Sequence, residues 1–115
     1  MTVNTAGLET FRAGLPQVID AGVQETAEAI ERTATGLVPV DTGALRTSIQ
    51  VNGAEGTGER TVEAGQGLDY APFVEYGSSR APAQPFMTPA AEQNRPALAA
   101  NIERRLKDLA DRSRI

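Results

Sequence analysis

The residues best suited to chemistry form the triplet Asp41-Thr42-Gly43, which follows the apolar Val40. A carboxylate on a tight turn can act as an acid or a base when a second carboxylate shares its proton. The same aspartate can instead accept hydrogen bonds from the amides that follow it, as a helix N-cap or in an Asx turn. Gly43 permits a tight backbone at that point. We expect the second, structural role for Asp41.

No other group of residues in the sequence completes a catalytic or metal site. The chain contains no cysteine and no histidine, which removes thiolate chemistry, the commonest general base and the commonest metal ligand. The remaining carboxylates and serines are scattered over different segments, without a metal-ligand spacing or a base to activate a hydroxyl: Glu55, Glu59, Glu63, Glu75, Ser48, Ser78 and Ser79. We therefore expect a protein that is not an enzyme and that has no cofactor and no metal.

Length and charge narrow the class of protein further. The 115 residues predict one domain, 1–115, and the net charge of −4 argues against a nucleic-acid-binding surface. No apolar run is long enough to span a membrane, and the N-terminus does not resemble a secretory signal. Five basic residues near the C-terminus are interleaved with acidic ones and indicate a solvated helix face: Arg104, Arg105, Lys107, Arg112 and Arg114. The alternative is an adaptor that binds nucleic acid through this helix.

Apolar residues spaced three or four apart predict a long amphipathic helix from Gly7 to about Thr35, after a frayed segment 1–6. Pro16 predicts a kink or a break near Gly14 to Leu15. A second helix begins near Thr88, which suits an N-cap, with Pro89 at the first helical position, and runs to about Arg112.

Alternating and extended patterns between these helices predict about three short strands, at 45–51, 59–64 and 68–76. Pro72 restricts the third to an edge or a bulge. The polar, glycine-rich segment 52–58 and the segment 77–84 predict mobile loops. The expected fold class is therefore α+β: a long N-terminal helix, a small antiparallel sheet of about three strands with mobile loops, and a C-terminal helix packed on the sheet.

Three motifs resemble those of the HK97 gp10-like family of tailed-phage proteins, in the same order. The segment 39–49 is similar to the family's Pro-x-Asp-Thr-Gly-x-Leu-x-x-Ser pattern, 70–77 to Tyr-Ala-x-x-Val-Glu-Tyr-Gly, and 84–90 to Gln-Pro-Phe-Leu-x-Pro-Ala. Met87 stands where leucine is common. The matching residues are Pro39, Asp41, Thr42, Gly43, Leu45, Ser48, Tyr70, Ala71, Val74, Glu75, Tyr76, Gly77, Gln84, Pro85, Phe86 and Pro89.

The resemblance implies a non-enzymatic virion protein of the head-to-tail connector (neck) or the tail-completion complex. It implies a ring, often of six copies, between a head-closure or adaptor protein and the tail terminator or tail-tube protein. DNA is then cargo in the channel, no membrane is involved, and the protein resides in the host cytoplasm before assembly and in the virion afterwards. Within this class the alternative is a tail terminator or a head-closure protein.

An alternative from another class is a small dimeric aspartic protease, because such enzymes carry Asp-Thr-Gly on a turn like that of Asp41. That interpretation requires an almost all-β chain, whereas this sequence predicts a long helix on each side of its strands.

The negative charge of the chain would suit the lining of a channel through which DNA slides without adhering. The acidic residues expected to form such a lining are Glu55, Glu59 and Glu63.

Four of the five aromatic residues lie between Tyr70 and Phe86. They are candidates either for core packing or for contact between subunits. The candidate interface residues are Tyr70, Phe73, Tyr76, Arg80 and Phe86, and the loops 52–58 and 77–84 are candidates to become ordered on assembly. Glu75 is a candidate to pair with Arg46 or Arg80, within one subunit or between subunits.

Overall fold

The computed structural model of the chain describes residues 5–39 and 43–113. Within them it contains the helices α1 (Thr5–Leu37), α2 (Gly43–Ser48), α3 (Ala71–Tyr76) and α4 (Met87–Ser113), and the strands β1 (Gln50–Asn52) and β2 (Thr61–Glu63). The turn predicted at Asp41 and Thr42 lies outside the described residues, as do residues 1–4 of the segment predicted to be frayed. Thr5 and Ala6, the remainder of that segment, belong to α1.

Helices α1 and α4 pack against each other in antiparallel directions and form a long helical arm. The pairs that meet run in opposite order along the two helices: Gly22 lies against Ile102, and Asn94 donates a hydrogen bond to Thr33 at 2.9 Å. Small residues such as Gly22 allow close approach, because a methyl group there would lie 2.6 Å from the Ile102 side chain. The arm therefore depends on small residues and paired polar groups as much as on large apolar side chains.

The two long helices confirm the helical periodicity of the sequence, with ends within two residues of those predicted. Of the kink or break predicted near Pro16, the break is wrong, because α1 continues through this position. Pro16 and Pro96 are both exposed, so neither ring has to be accommodated between the helices. The predicted N-cap at Thr88 is also wrong, since α4 begins at Met87.

Strands β1 and β2 form an antiparallel pair in which Val51 lies opposite Val62. The predicted pairing of 59–64 with the preceding strand is confirmed. The pair packs on α1, and Val62 lines a cavity of about 330 Å³ together with Val23 of α1 and Leu98 of α4. The sheet therefore lies along the helical arm.

The main core lies where the end of α1 meets the start of α4. Its buried members are Ala34, Val38, Leu45, Ile49, Phe86 and Ala90. Leu45 and Phe86 are the largest side chains that are almost fully buried. Burying a side chain of this size stabilises a fold by about 1.5–3 kcal/mol, so these two residues hold α2 and the start of α4 against α1.

The strand predicted over 45–51 is wrong in its first part, where the chain forms α2, and correct in its last part, where β1 begins. Alternation places Leu45, Thr47 and Ile49 on one face of a strand, but Thr47 is exposed whereas Leu45 and Ile49 are buried. Residues four apart share a helix face, so the two true core positions fit a helix. Short apolar segments are ambiguous in this way.

The third predicted strand, 68–76, is also wrong, because its second half forms α3. Ala71 and Val74 face the core and lie three residues apart, which is a helical spacing. Pro72 lies in the first turn of α3, a position that proline favours. The described residues therefore contain two strands instead of three, within the expected α+β class. None of their helices has a stretch long and apolar enough to cross a membrane.

Candidate functional site

Helix α3 exposes three aromatic side chains on the surface of the protein. Tyr70, immediately before the helix, Phe73 and Tyr76 are 40%, 58% and 78% exposed. Their spacing of three residues places them on one side of the short helix, while Ala71 and Val74 pack against the core on the other. We call these three residues the aromatic face.

The buried carboxylate of Glu75 anchors the aromatic face to the rest of the fold. Its Oε1 accepts hydrogen bonds from the backbone amides of Phe86 (3.1 Å) and Met87 (2.9 Å), and its Oε2 accepts one from Thr88 (3.2 Å). The first amides of a helix have no partner within the helix, so Glu75 caps α4 from a distant segment. α3 and α4 are thereby joined at one point.

The pKa of Glu75 results from two opposing effects. Burial favours the neutral acid, but the hydrogen bonds from Met87, Phe86 and Thr88 favour the carboxylate and hold the pKa below its usual range. Glu75 is therefore charged at neutral pH. The predicted ion pair with Arg46 or Arg80 is not formed within the chain, where Arg46 donates to the carbonyl of Val38 and the Glu75 oxygens accept from backbone amides; a pair between subunits stays a prediction.

The loop from Gly77 to Gln84 folds back onto α3. The amide of Gln84 donates to the carbonyl of Val74 at 2.8 Å, and Ser78 donates to Ala81 at 2.9 Å. Gly77 has a φ of +83°, and a methyl group there would lie 2.8 Å from the amide nitrogen of Ala83. Glycine is required at this position both for its backbone angle and for the close approach of the returning chain.

A second set of hydrogen bonds, made by Ser48, joins α2 to the loop that precedes α3. The hydroxyl of Ser48 accepts a hydrogen bond from the amide of Gly65 at 2.7 Å, and donates one to the carbonyl of Leu45 at 2.6 Å. Gly65 has a φ of +80°, and a methyl group there would overlap that of Ala71. Ser48 and Gly65 therefore set the position from which α3 begins.

The structure separates the five predicted interface residues into two groups. Tyr70, Phe73, Tyr76 and Arg80 are exposed, whereas Phe86 is 2% exposed and belongs to the core. A residue this buried has almost no surface to offer a partner, and Phe86 instead belongs to the core on which Ala71 and Val74 of α3 pack. The spacing of three in the sequence was the signal that could have identified the exposed group.

A buried ion pair that sequence analysis did not identify fastens the β1–β2 connection to α1. The guanidinium of Arg60 donates to both carboxylate oxygens of Asp20, at 2.8 and 3.0 Å, and its Nε donates to Gln24. The amide of Gly58 also donates to Asp20, at 2.9 Å. Arg60 in the first place, with the amides of Gly56 and Gly58, holds the pKa of Asp20 well below its usual range. The segment predicted to be a mobile loop is thus held at its end to the middle of α1.

The basic residues of α4 take part in contacts between the helices. Arg104 and Arg105 both donate to the carboxylate of Glu25 on α1, at 2.7 and 3.1 Å, and hold its pKa below its usual range. This arrangement favours the predicted solvated helix face over a nucleic-acid site, because both guanidinium groups are engaged within the chain by Glu25, which offsets one of their two charges.

The arrangement of the described carboxylates gives little support to a catalytic function. No three acidic side chains within 5–39 and 43–113 lie close enough together to hold a metal ion. The buried carboxylates Asp20 and Glu75 are occupied by Arg60 and by backbone amides. The long helices also differ from the almost all-β architecture that an aspartic protease requires.

Comparison with known proteins gives one match. The model of a family described as "Bacteriophage HK97-gp10, putative tail-component" matches residues 6–77. This range includes the motifs at 39–49 and 70–77 and excludes the one at 84–90, although Glu75 ties the last two together. No curated protein and no solved structure matches the chain.

Proposed function

Because the chain belongs to the HK97 gp10-like family of bacteriophage tail components, we propose that it is a structural protein of the head-to-tail connector (neck) or the tail-completion complex. As one domain it assembles into a ring, often of six copies, between the head-closure protein and the tail tube. It carries out no catalysis, and DNA passes through the ring as cargo. It leaves the host cytoplasm as a part of the virion.

The observation that carries this proposal is the aromatic face. Tyr70, Phe73 and Tyr76 are exposed, although the residues that hold them, such as Glu75 and Ser48, make buried or partly buried hydrogen bonds. Exposed aromatic side chains on a well-anchored support are typical of binding hot spots. A surface of this kind supports a role in assembly.

The shape of the chain supports the same role. The structure measures 72 × 23 × 19 Å with a radius of gyration of 19.0 Å, whereas a compact domain of this length has about 13 Å. Its accessible surface is 7637 Å², against about 6,000 Å² for a compact protein of this mass. The extra surface of about 1,600 Å² is available for contacts with neighbouring copies or other virion proteins.

Deletion of the gene from the phage or prophage that encodes it tests the proposal. We expect filled heads and tails that fail to join, seen by electron microscopy and restored by supplying the protein from a plasmid. Virions with complete tails in the deletion strain would contradict the proposal. Heads that lose their DNA would indicate a head-closure protein, and tails of irregular length a tail terminator.

Substitution of Asp41 separates this class of function from the protease class. A connector with Asp41→Asn still assembles, whereas an aspartic protease with this change loses all activity. The measurement is cleavage of a peptide library by the purified wild-type protein and the variant. Cleavage that depends on Asp41 would overturn the structural proposal.

A further inference from the structure

A second apolar surface lies on the helical arm, between α1 and α4. It is a groove of about 670 Å³ lined by Phe11 of α1 and by residues of α4, chiefly Ala100, Leu106 and Ala110. Three charged residues also line it, Glu103, Arg104 and Lys107, and all three are exposed. Phe11 is the one aromatic residue outside the segment from Tyr70 to Phe86. We call this surface the arm groove.

The arm groove and the aromatic face lie far apart on one chain. α3 packs on the core that contains Ala34, and Phe11 lies 23 positions earlier on the same helix. At a rise of about 1.5 Å per residue, this separation is about 35 Å along α1. The two surfaces therefore cannot meet within one chain.

On the basis of the ring assembly proposed above, we infer that the aromatic face of one copy docks into the arm groove of the next copy. Phe73 and Tyr76 bury their rings on the floor formed by Leu106 and Ala110. Phe11 provides a ring for an offset or edge-to-face pair, which adds about 0.5–1.5 kcal/mol beyond area burial.

Charge complementarity identifies the arm groove as the receiving surface. Asp69 and Arg80 flank the aromatic face and are exposed, and Lys107 and Glu103 flank the groove. Arg104 also lines the groove but already pairs with Glu25 of its own chain, so Lys107 is placed to meet Asp69 and Glu103 to meet Arg80. Rim charges of this kind orient the encounter more than they add affinity. A second groove between α1 and α4 is less suitable, because four charged residues border it, Arg105, Asp108, Asp111 and Arg112, and its lining residues include no aromatic ring.

The areas are consistent with two such contacts per chain. A standard interface covers about 800 Å² on each partner, and a copy in a ring uses its aromatic face on one side and its arm groove on the other. Two contacts of that size need about 1,600 Å² of a chain whose accessible surface is 7637 Å². Contacts between two different surfaces are head-to-tail, and they close into rings when the rotation permits.

Crosslinking in assembled particles tests this contact, and the absence of cysteine from the chain makes introduced thiols unique. The variant Asp69→Cys with Lys107→Cys replaces two rim residues and leaves the aromatic side chains intact. It is supplied to the deletion strain, and purified particles are treated with a short bis-maleimide and separated by denaturing electrophoresis. We expect a ladder of crosslinked copies that ends at the number in the ring.

The matched control pairs Asp69→Cys with Glu92→Cys, an exposed position near the start of α4, and we expect no ladder from it. Two results would overturn the inference and leave the proposed function intact. In the first, the double-cysteine variant is present in particles but forms no crosslinks. In the second, the control variant gives a ladder of equal intensity. Crosslinks that stop at dimers would show reciprocal pairing instead of head-to-tail contact and would also overturn it. Particles that lack the protein altogether would contradict the proposed function.

Discussion

The carboxylate of Glu75 accepts a hydrogen bond from the backbone amide of Met87 at 2.9 Å, and this contact joins the helix that carries the aromatic face to the first turn of α4. Two neighbouring amides donate to the same carboxylate. The glutamate of the family motif therefore has an architectural role, since it holds the segment that carries the aromatic residues against the start of α4.

Replacement of Glu75 should destabilise the fold. Glu75→Ala leaves buried amides at the start of α4 without a partner, and we expect a loss of about 1–3 kcal/mol in the free energy of unfolding. Glu75→Gln keeps an acceptor oxygen but loses the charge, so its loss should be smaller. Urea denaturation measures both, with Glu92→Ala, an exposed position on α4, as the control. Equal stability of Glu75→Ala and the control would contradict the capping role.

Two glycines before α3 provide a matched test of close packing. Gly65 and Gly67 have φ angles of +80° and +76°, but a methyl group on Gly65 would overlap Ala71, whereas one on Gly67 meets nothing within 4 Å. Gly67→Ala should cost about 1–2 kcal/mol from backbone strain. Gly65→Ala should cost about 1–3 kcal/mol more from overpacking. Thermal and urea unfolding compare the two, and equal losses would show that α3 does not pack on this loop.

Removing one partner of the ion pair between Asp20 and Arg60 should lower the stability of the fold more than removing both. Arg60 is 4% exposed at its side chain, so Asp20→Asn leaves a buried guanidinium without its counter-charge, which is more costly than replacing both groups by apolar ones. We expect Asp20→Asn to lower the unfolding temperature more than the double variant Asp20→Leu with Arg60→Met. Glu9→Gln removes the exposed pair with Arg12 and should change little. A double variant less stable than the single one would contradict the argument.

Acid should lower the free energy of unfolding through the carboxylates of Asp20 and Glu75. The pKa values of Asp20 and Glu75 are lowered in the folded chain from ordinary values of 3.8 and 4.5. Each group therefore contributes stability that is fully present above its ordinary pKa and is lost as the pH falls through the lowered one. Urea denaturation between pH 7 and pH 2 should show a fall that begins near these ordinary values, and it should be shallower in Asp20→Asn. An identical acid slope in the variant would mean that Asp20 is not linked to folding.

Two phenylalanines should separate folding from assembly. Phe86→Ala empties a core position and should cost about 3–5 kcal/mol. Phe73→Ala removes an exposed ring and should leave the free energy of unfolding within about 0.5 kcal/mol of the wild-type value, while reducing incorporation of the protein into particles. Urea denaturation and quantitative blotting of purified particles provide the two measurements. Normal incorporation of Phe73→Ala together with Tyr76→Ala would show that the aromatic face does not serve assembly.

The two wrong strand assignments have one physical cause. Short segments with a few apolar residues, such as 45–51, fit a helix and a strand about equally well, and only the contacts made by Leu45, Ile49, Ala71 and Val74 with the core decide between them. The pairing of β1 with β2 was easier to predict, because its strands are close in sequence and a glycine-rich connection separates them.

The sequence by itself determined the two long helices, the antiparallel pair of strands and the family, because these depend on periodicity and on short local motifs. Only the tertiary structure decided that Phe86 is buried while Tyr70, Phe73 and Tyr76 are exposed. It likewise decided that Glu75 caps α4 and that Asp20 holds Arg60 across 40 residues. These features depend on contacts between segments that are distant in the sequence, and the spacing of residues along the chain does not specify such contacts.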